Sequence, residues 1–131
     1  TMANLYRGVI TPKKASTAIT VSTATQVLDP ADAFEIVITS SAGADVASLP
    51  TPVSGHVRPT GADGADSPKV VVGQLLLITH GTDGGSTFTL SYNNLSGTAK
   101  TAATEDANDS LLLLAGPSGY AILENTGFTI A

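Results

Sequence analysis

Apolar and polar residues alternate with a period of two along much of the chain. In the stretch "TFTLSY" the apolar positions are Phe88, Leu90 and Tyr92, and the segments 18–22 ("AITVS") and 34–39 ("FEIVIT") repeat the pattern. Because successive side chains of a β-strand point to opposite faces of the sheet, this alternation predicts half-buried strands. No segment of helical length carries an apolar stripe with a period of 3.6 residues. We therefore expect an all-β fold.

Two predicted strands, 75–78 and 111–114, are apolar on both faces. One face of each fits the core of a sandwich, whereas the second face needs cover from the chain's own long loop, a second sheet or another subunit. Complete burial of one leucine side chain is worth roughly 1.5–3 kcal/mol, so a solvent-exposed row of leucines is costly. The sequence alone does not distinguish between these three kinds of cover. The candidates for an interface between subunits are Leu112, Leu114, Leu75 and Leu77.

Glycine-rich segments predict two hairpins. Residues 81–86 ("GTDGGS") separate a long apolar run from the strand that contains Phe88, and residues 116–119 ("GPSG") separate two further apolar runs. Glycine supplies positive φ angles and proline fixes φ near −65°, so both segments have the residues that turns require.

The length of 131 residues predicts one domain with a substantial core. We expect an N-terminal arm over residues 1–16 and a single β domain over residues 17–131. A long Pro- and Gly-rich excursion is predicted at about 42–69, and it contains four of the seven prolines. Long loops of this kind are usually functional or disordered. The predicted fold is an antiparallel β-sandwich, jelly-roll-like, or a small barrel, with an extended N-terminal arm.

Charge is distributed unevenly along the chain. The net charge of −5 argues against binding to nucleic acid or to an anionic membrane surface. Residues 1–14 nevertheless carry three cations, Arg7, Lys13 and Lys14, and the first acidic residue is Asp29. Such an arm either docks on an acidic neighbour or is a solvated terminus. The longest apolar runs are far shorter than the ~20 residues of a membrane-spanning helix, and no secretory signal pattern is present, so we expect a soluble, untargeted protein.

The residues that could carry chemistry do not form a recognised motif. The chain has no cysteine, and its two histidines, His56 and His80, have no partner ligand at a motif spacing, so both are interpreted as loop-edge residues. The acidic segments 63–66 ("DGAD") and 104–109 ("TEDAND") are either solvated turns or oxygen-rich loops for calcium, and neither matches an EF-hand. We predict no catalytic, metal or cofactor site and a non-enzymatic function.

The order of segments resembles that of small structural proteins of tailed bacteriophages. The stretch "TQVLDPADAFEIVITSSAGADVASLPTP" is similar to a strand, an Asp-containing turn, a β-run and a Gly/Ala-rich loop of such proteins. The stretch "NDSLLLLAGPSGYAILENTG" resembles their final hairpin, with Tyr120 where such hairpins often carry Trp. The resemblance covers residues 24–130, and it points to a capsid decoration (cement) protein. Two alternatives are a tail or fibre module and, from another class, a carbohydrate-binding or adhesin-type β-sandwich.

Membership of the decoration proteins would imply a role, a location and partners. Such proteins bind the outer surface of a head shell, commonly as trimers at symmetry axes, and reinforce contacts between capsomers, often through an N-terminal arm. The expected partners are the major capsid protein and further copies of this chain, most simply as a homotrimer. The protein would be made in the host cytoplasm and would reside on the virion. The arm residues assigned to the interface with the capsid or a neighbouring subunit are Leu5, Tyr6, Arg7, Val9, Ile10, Lys13 and Lys14.

Overall fold

The computed structural model describes residues 14–30, 33–54 and 70–131. These ranges form ten strands and contain no helix, which confirms the all-β prediction. The strands are β1 (Lys14–Thr20), β2 (Gln26–Val27), β3 (Ala33–Thr39), β4 (Asp45–Ser48), β5 (Leu75–Thr82), β6 (Phe88–Asn93), β7 (Ala99–Thr104), β8 (Ser110–Ala115), β9 (Tyr120–Thr126) and β10 (Thr129–Ile130).

The strands form two five-stranded sheets that do not close into a barrel, consistent with a β-sandwich. Sheet A has the order β1-β3-β5-β8-β9, and sheet B has the order β10-β7-β6-β4-β2. Both sheets are mixed: β1, β3 and β5 run parallel, as do β2, β4 and β6, whereas the remaining pairs are antiparallel. The parallel pairs arise because strands β1 to β6 alternate between the two sheets. Side-chain alternation is the same in parallel and antiparallel strands, so it could not predict this.

One predicted hairpin is confirmed and the other is wrong. β8 and β9 pair in antiparallel fashion across residues 116–119, with Ala115 opposite Tyr120. By contrast, β5 lies in sheet A and β6 in sheet B, so residues 83–87 cross between the sheets. Gly84 is needed there for a close contact and not for a hairpin turn. A Cβ atom added at Gly84 would overlap the backbone carbonyl of Ser41, so glycine permits the close approach of two loops.

The core lies between the two sheets. Sheet B contributes Phe88, Leu90 and Tyr92, which are buried as their alternation predicts. Sheet A contributes the alternate residues of its central strands β5 and β8. The buried cluster consists of Val21, Leu28, Ile36, Ile38, Ala47, Leu49, Val70, Leu76, Ile78, Phe88, Leu90, Tyr92, Ala102, Leu111, Leu113, Ala115, Tyr120 and Phe128.

Several sequence predictions concern residues outside the described ranges. They include most of the arm, residues 1–13, and most of the excursion, with His56, Asp63 and Asp66. At the predicted boundaries, Lys14 already belongs to β1, and β4 falls within residues 42–69. In the described part of the chain, no helix is long and apolar enough to cross a membrane.

Candidate functional site

Four leucines lie on the side of sheet A that faces away from the core. We call Leu75, Leu77, Leu112 and Leu114 the outer leucine face. In β5 and β8 buried residues alternate with less buried ones, and these four occupy the less buried positions. Leu75 is 44% exposed, and the other three are half-buried.

The four leucines form a contiguous block because β5 and β8 are neighbours. Leu75 is the register partner of Leu114, and Leu77 is the register partner of Leu112. Directly opposed residues on one face of an antiparallel pair have Cβ atoms about 4.5–5.5 Å apart, so the two pairs pack side by side. The predicted residues are thus brought together on one surface.

Further apolar side chains extend this block on both neighbouring strands. Val37 of β3 is half-buried, and Ala121 of β9 is the partner of Leu114. Leu123 lies at the β-bulge where β8 pairs with β9, and its side chain is 53% exposed. An extended apolar surface of this kind is typical of a site that contacts another polypeptide.

Carboxylates border the block on both sides. Glu35 of β3 is the partner of Leu77, and Glu124 of β9 is the partner of Leu112, so one row across the sheet reads Glu, Leu, Leu, Glu. Glu35 is held in place because its Oε2 atom accepts a hydrogen bond of 2.6 Å from Thr79 Oγ1. Within the described ranges the only lysines or arginines are Lys14 and Lys100, and Lys100 belongs to sheet B. This surface therefore suits a segment that is both apolar and cationic.

A second cluster of polar side chains lies in the core. Ser40 Oγ and His80 Nε2 are hydrogen-bonded, and the Ser40 hydroxyl also lies 3.0 Å from the carbonyl oxygen of Thr82. His80 Nδ1 lies 2.8 Å from the carbonyl oxygen of Asp106, and the imidazole stacks on Phe88 with ring centroids 5.8 Å apart. Both polar side chains are buried, with exposures of 7% for Ser40 and 0% for His80.

The prediction that His80 is a loop-edge residue is wrong. β5 continues to Thr82, and His80 follows Leu76 and Ile78 on the buried face of that strand. A serine next to a histidine is also found in nucleophilic sites, but there the serine is accessible to substrate and the second ring nitrogen commonly faces a carboxylate. Here that nitrogen faces a backbone carbonyl inside the core. The pair therefore joins the end of β3 to β5 and to the loop after β7.

The acidic segment 104–109 is organised by hydroxyl groups. Thr104 Oγ1 donates a hydrogen bond to Asp109, and Thr87 Oγ1 donates one of 2.9 Å to Glu105 Oε1. Among the residues that the structure describes, no three histidine or acidic side chains are grouped closely enough to hold a metal ion. The hydrogen bonds of Glu105 and Asp109 with threonine hydroxyls agree with the interpretation of these acids as turn residues.

A groove of about 410 Å³ lies beside the β8–β9 hairpin. Its lining includes Tyr92, Leu95, Lys100, Tyr120, Ile122 and Ile130.

The Tyr120 hydroxyl donates a hydrogen bond of 2.7 Å to the carbonyl oxygen of Pro50, and burial raises the pKa of this phenol. Tyr120 thus fixes the hairpin to the loop that follows β4.

Sequence reasoning identified the four leucines but missed both their charged border and the buried Ser40–His80 pair. The alternation in "FEIVIT" does place Glu35 opposite the core residues Ile36 and Ile38, so its outward position could have been found. Its pairing with Leu77 depends on the order of strands, which alternation does not specify. No family model matches the chain, and a comparison with curated proteins finds no significant match.

Proposed function

We propose that this chain is a non-enzymatic structural protein of a virion, a decoration protein that binds the outside of a bacteriophage head shell and reinforces contacts between capsomers. The observation that supports this best is the outer leucine face. Its four leucines form an ordered apolar block on the central strands of a sheet, and a surface of that kind is suited to permanent contact with protein.

The proposed assembly is a homotrimer in which the outer leucine face belongs to the interface between subunits. A standard protein interface buries roughly 800 Å² on each partner. Three linked copies bind a shell at several points at once, so moderate contacts add up through effective concentration. The partners are then the major capsid protein and two further copies of the chain.

The arm provides the second contact element of this proposal. Tyr6, Val9 and Ile10 supply apolar anchors, and Arg7, Lys13 and Lys14 supply positive charge for an acidic neighbour. Electrostatic complementarity of this kind sets orientation and association rate.

Binding to empty head shells tests the proposed function. We expect the purified protein to cosediment with shells that lack decoration, and we expect a chain without residues 1–13 to remain folded and to stay in the supernatant. Cosedimentation of the truncated protein would refute the role of the arm. Failure of the full chain to bind shells, together with specific retention on a glycan array, would favour an adhesin-type module instead.

A further inference from the structure

We infer that residues 1–13 of one copy lie across the outer leucine face of a neighbouring copy, so that the arms and not two leucine faces close the trimer. This inference rests on the proposed assembly of several copies, and it does not depend on the nature of the shell. Three observations support it: the charge border of the face, the composition of the arm and the place where the arm leaves the sheet.

The charge border disfavours contact between two leucine faces. Glu35 and Glu124 lie at the two ends of the row that contains Leu77 and Leu112. Two such faces packed against each other would bring four carboxylates to one interface. Like charges opposed across an interface are destabilising, and buried carboxylates without a cation carry a large desolvation cost.

The arm has the composition that this surface requires. It contains the apolar residues Leu5, Tyr6, Val9 and Ile10 together with the cationic residues Arg7 and Lys13. The chain has six lysines and arginines, and two of them fall in these thirteen residues, which contain no acid. An extended segment can place its apolar side chains on the leucines while a cation reaches each bordering carboxylate. The match is therefore one of both hydrophobicity and charge.

The position of β1 favours contact between the arm and another copy of the chain. β1 is the edge strand of sheet A, and Lys14 at its start is the partner of Ala33 at the start of β3. Because β1, β3 and β5 are parallel, β1 begins at the same end of the sheet as β5, whose first residue is Leu75. An arm that continued in the direction of β1 would point away from the leucine face of its own copy. Thirteen extended residues reach about 43 Å, which is enough to span a neighbouring copy.

The absence of cysteine from the sequence allows a direct test by engineered disulfides. Tyr6→Cys, Val9→Cys and Ile10→Cys are each combined with Leu112→Cys, and the full-length proteins are oxidised and separated on denaturing gels. A disulfide needs Cα atoms about 4.4–6.8 Å apart, so it reports close contact. We expect at least one combination to give covalent dimers and larger species, with peptide mapping linking the arm position to position 112. The matched control is Ser118→Cys, on the exposed β8–β9 turn, in place of Leu112→Cys.

Either of two results would overturn the inference. A disulfide found only within single chains would show that the arm covers its own face, and no disulfide in any of the three combinations would show that the arm lies elsewhere. Disulfide-linked multimers that fail to bind head shells would leave the inference intact and refute the proposed function. Shell binding without disulfide-linked multimers would refute the inference and leave the proposed function intact.

Charge exchange provides an independent readout. The double variant Glu35→Lys/Glu124→Lys should lose the trimer, because Arg7 and Lys13 would then face lysines. When Arg7→Glu and Lys13→Glu are added to this variant, at least half of the protein should again be trimeric. Glu105→Lys is the control, since Glu105 is exposed and accepts a hydrogen bond from Thr87, which lies outside sheet A in the segment just before β6. Loss of the trimer without restoration would contradict pairing between the arm and the face.

Discussion

Leu77 and Leu112 are direct register partners on the outward side of sheet A, and each is followed across the sheet by a glutamate, Glu35 or Glu124. The two leucines occupy β5 and β8, which are central strands paired on both sides. An apolar centre between two carboxylates is complementary in hydrophobicity and charge to an apolar segment that carries positive charge.

Substitution of the outward leucines should separate assembly from folding. We expect Leu77→Thr/Leu112→Thr to be monomeric, while the free energy of unfolding of the single chain falls by about 1 kcal/mol per site, because each leucine is half-buried and threonine is well accommodated on a strand surface. Light scattering and urea titration at low protein concentration measure the two quantities.

The inward neighbour Leu113 is the matched control for that experiment. Leu113 is fully buried, and Leu113→Ala should lower the free energy of unfolding by about 2–5 kcal/mol through loss of packing. A trimer that persists in the threonine variant would show that the outer leucine face is not part of the interface.

Loss of the Ser40 hydroxyl should destabilise the fold. Ser40→Ala removes the hydrogen-bond partner of the buried His80 Nε2 atom, and an unsatisfied buried polar atom costs about 1–3 kcal/mol. Thermal and urea unfolding measure the change. Ser118→Ala on an exposed turn is the control and should fall within about 0.5 kcal/mol of the parent protein. Equal stability of both variants would mean that the Ser40–His80 contact contributes nothing.

Alkaline pH should destabilise the protein through Tyr120. Burial raises the pKa of this phenol above its ordinary value of 10.0. Below pH 10 the phenol is protonated in both states, so its contribution to stability is complete. Above pH 10 the unfolded chain loses the proton while the folded chain retains it, and the free energy of unfolding therefore falls as pH rises. Urea titrations from pH 8 to pH 11 follow this dependence.

Tyr120→Phe is the variant that isolates this effect. At pH 7 it should cost about 0.5–1.5 kcal/mol through loss of the hydrogen bond to Pro50, and its stability should fall less steeply above pH 10. An unchanged pH dependence would assign the alkaline loss to other groups.

The turn between β8 and β9 should not tolerate a side chain at Gly119. A Cβ atom added there would overlap the backbone carbonyl of Asn94, against which the turn packs. Gly119→Ala should therefore lower the free energy of unfolding by about 1–3 kcal/mol. Differential scanning calorimetry compares it with Ser118→Ala, the neighbouring exposed position. Equal melting temperatures for both variants would contradict this packing.

The part of the fold that could be predicted is the part that alternation encodes. The buried set in β6, with Phe88, Leu90 and Tyr92, followed directly from its period of two, as did the double-sided leucines of β8. The β8–β9 hairpin followed from its turn residues. Each of these features depends on residues that are close in sequence.

Features that depend on distant pairing could not be predicted. The parallel contacts of β1, β3 and β5 result from a chain that passes repeatedly between two sheets, and no local pattern records that path. The burial of His80 could not be predicted for the same reason, because its partner Ser40 lies forty residues earlier. The charge border of the outer leucine face likewise required the register of three strand pairs.

The mass of the unmodified protein in solution tests the central claim most directly. Multi-angle light scattering on a sizing column should give three times the chain mass of 13.1 kDa at micromolar concentration. That result would agree with an outer leucine face that is covered by neighbouring copies. A mass of 13.1 kDa at every concentration up to the millimolar range would contradict the proposed assembly, and with it the arm exchange.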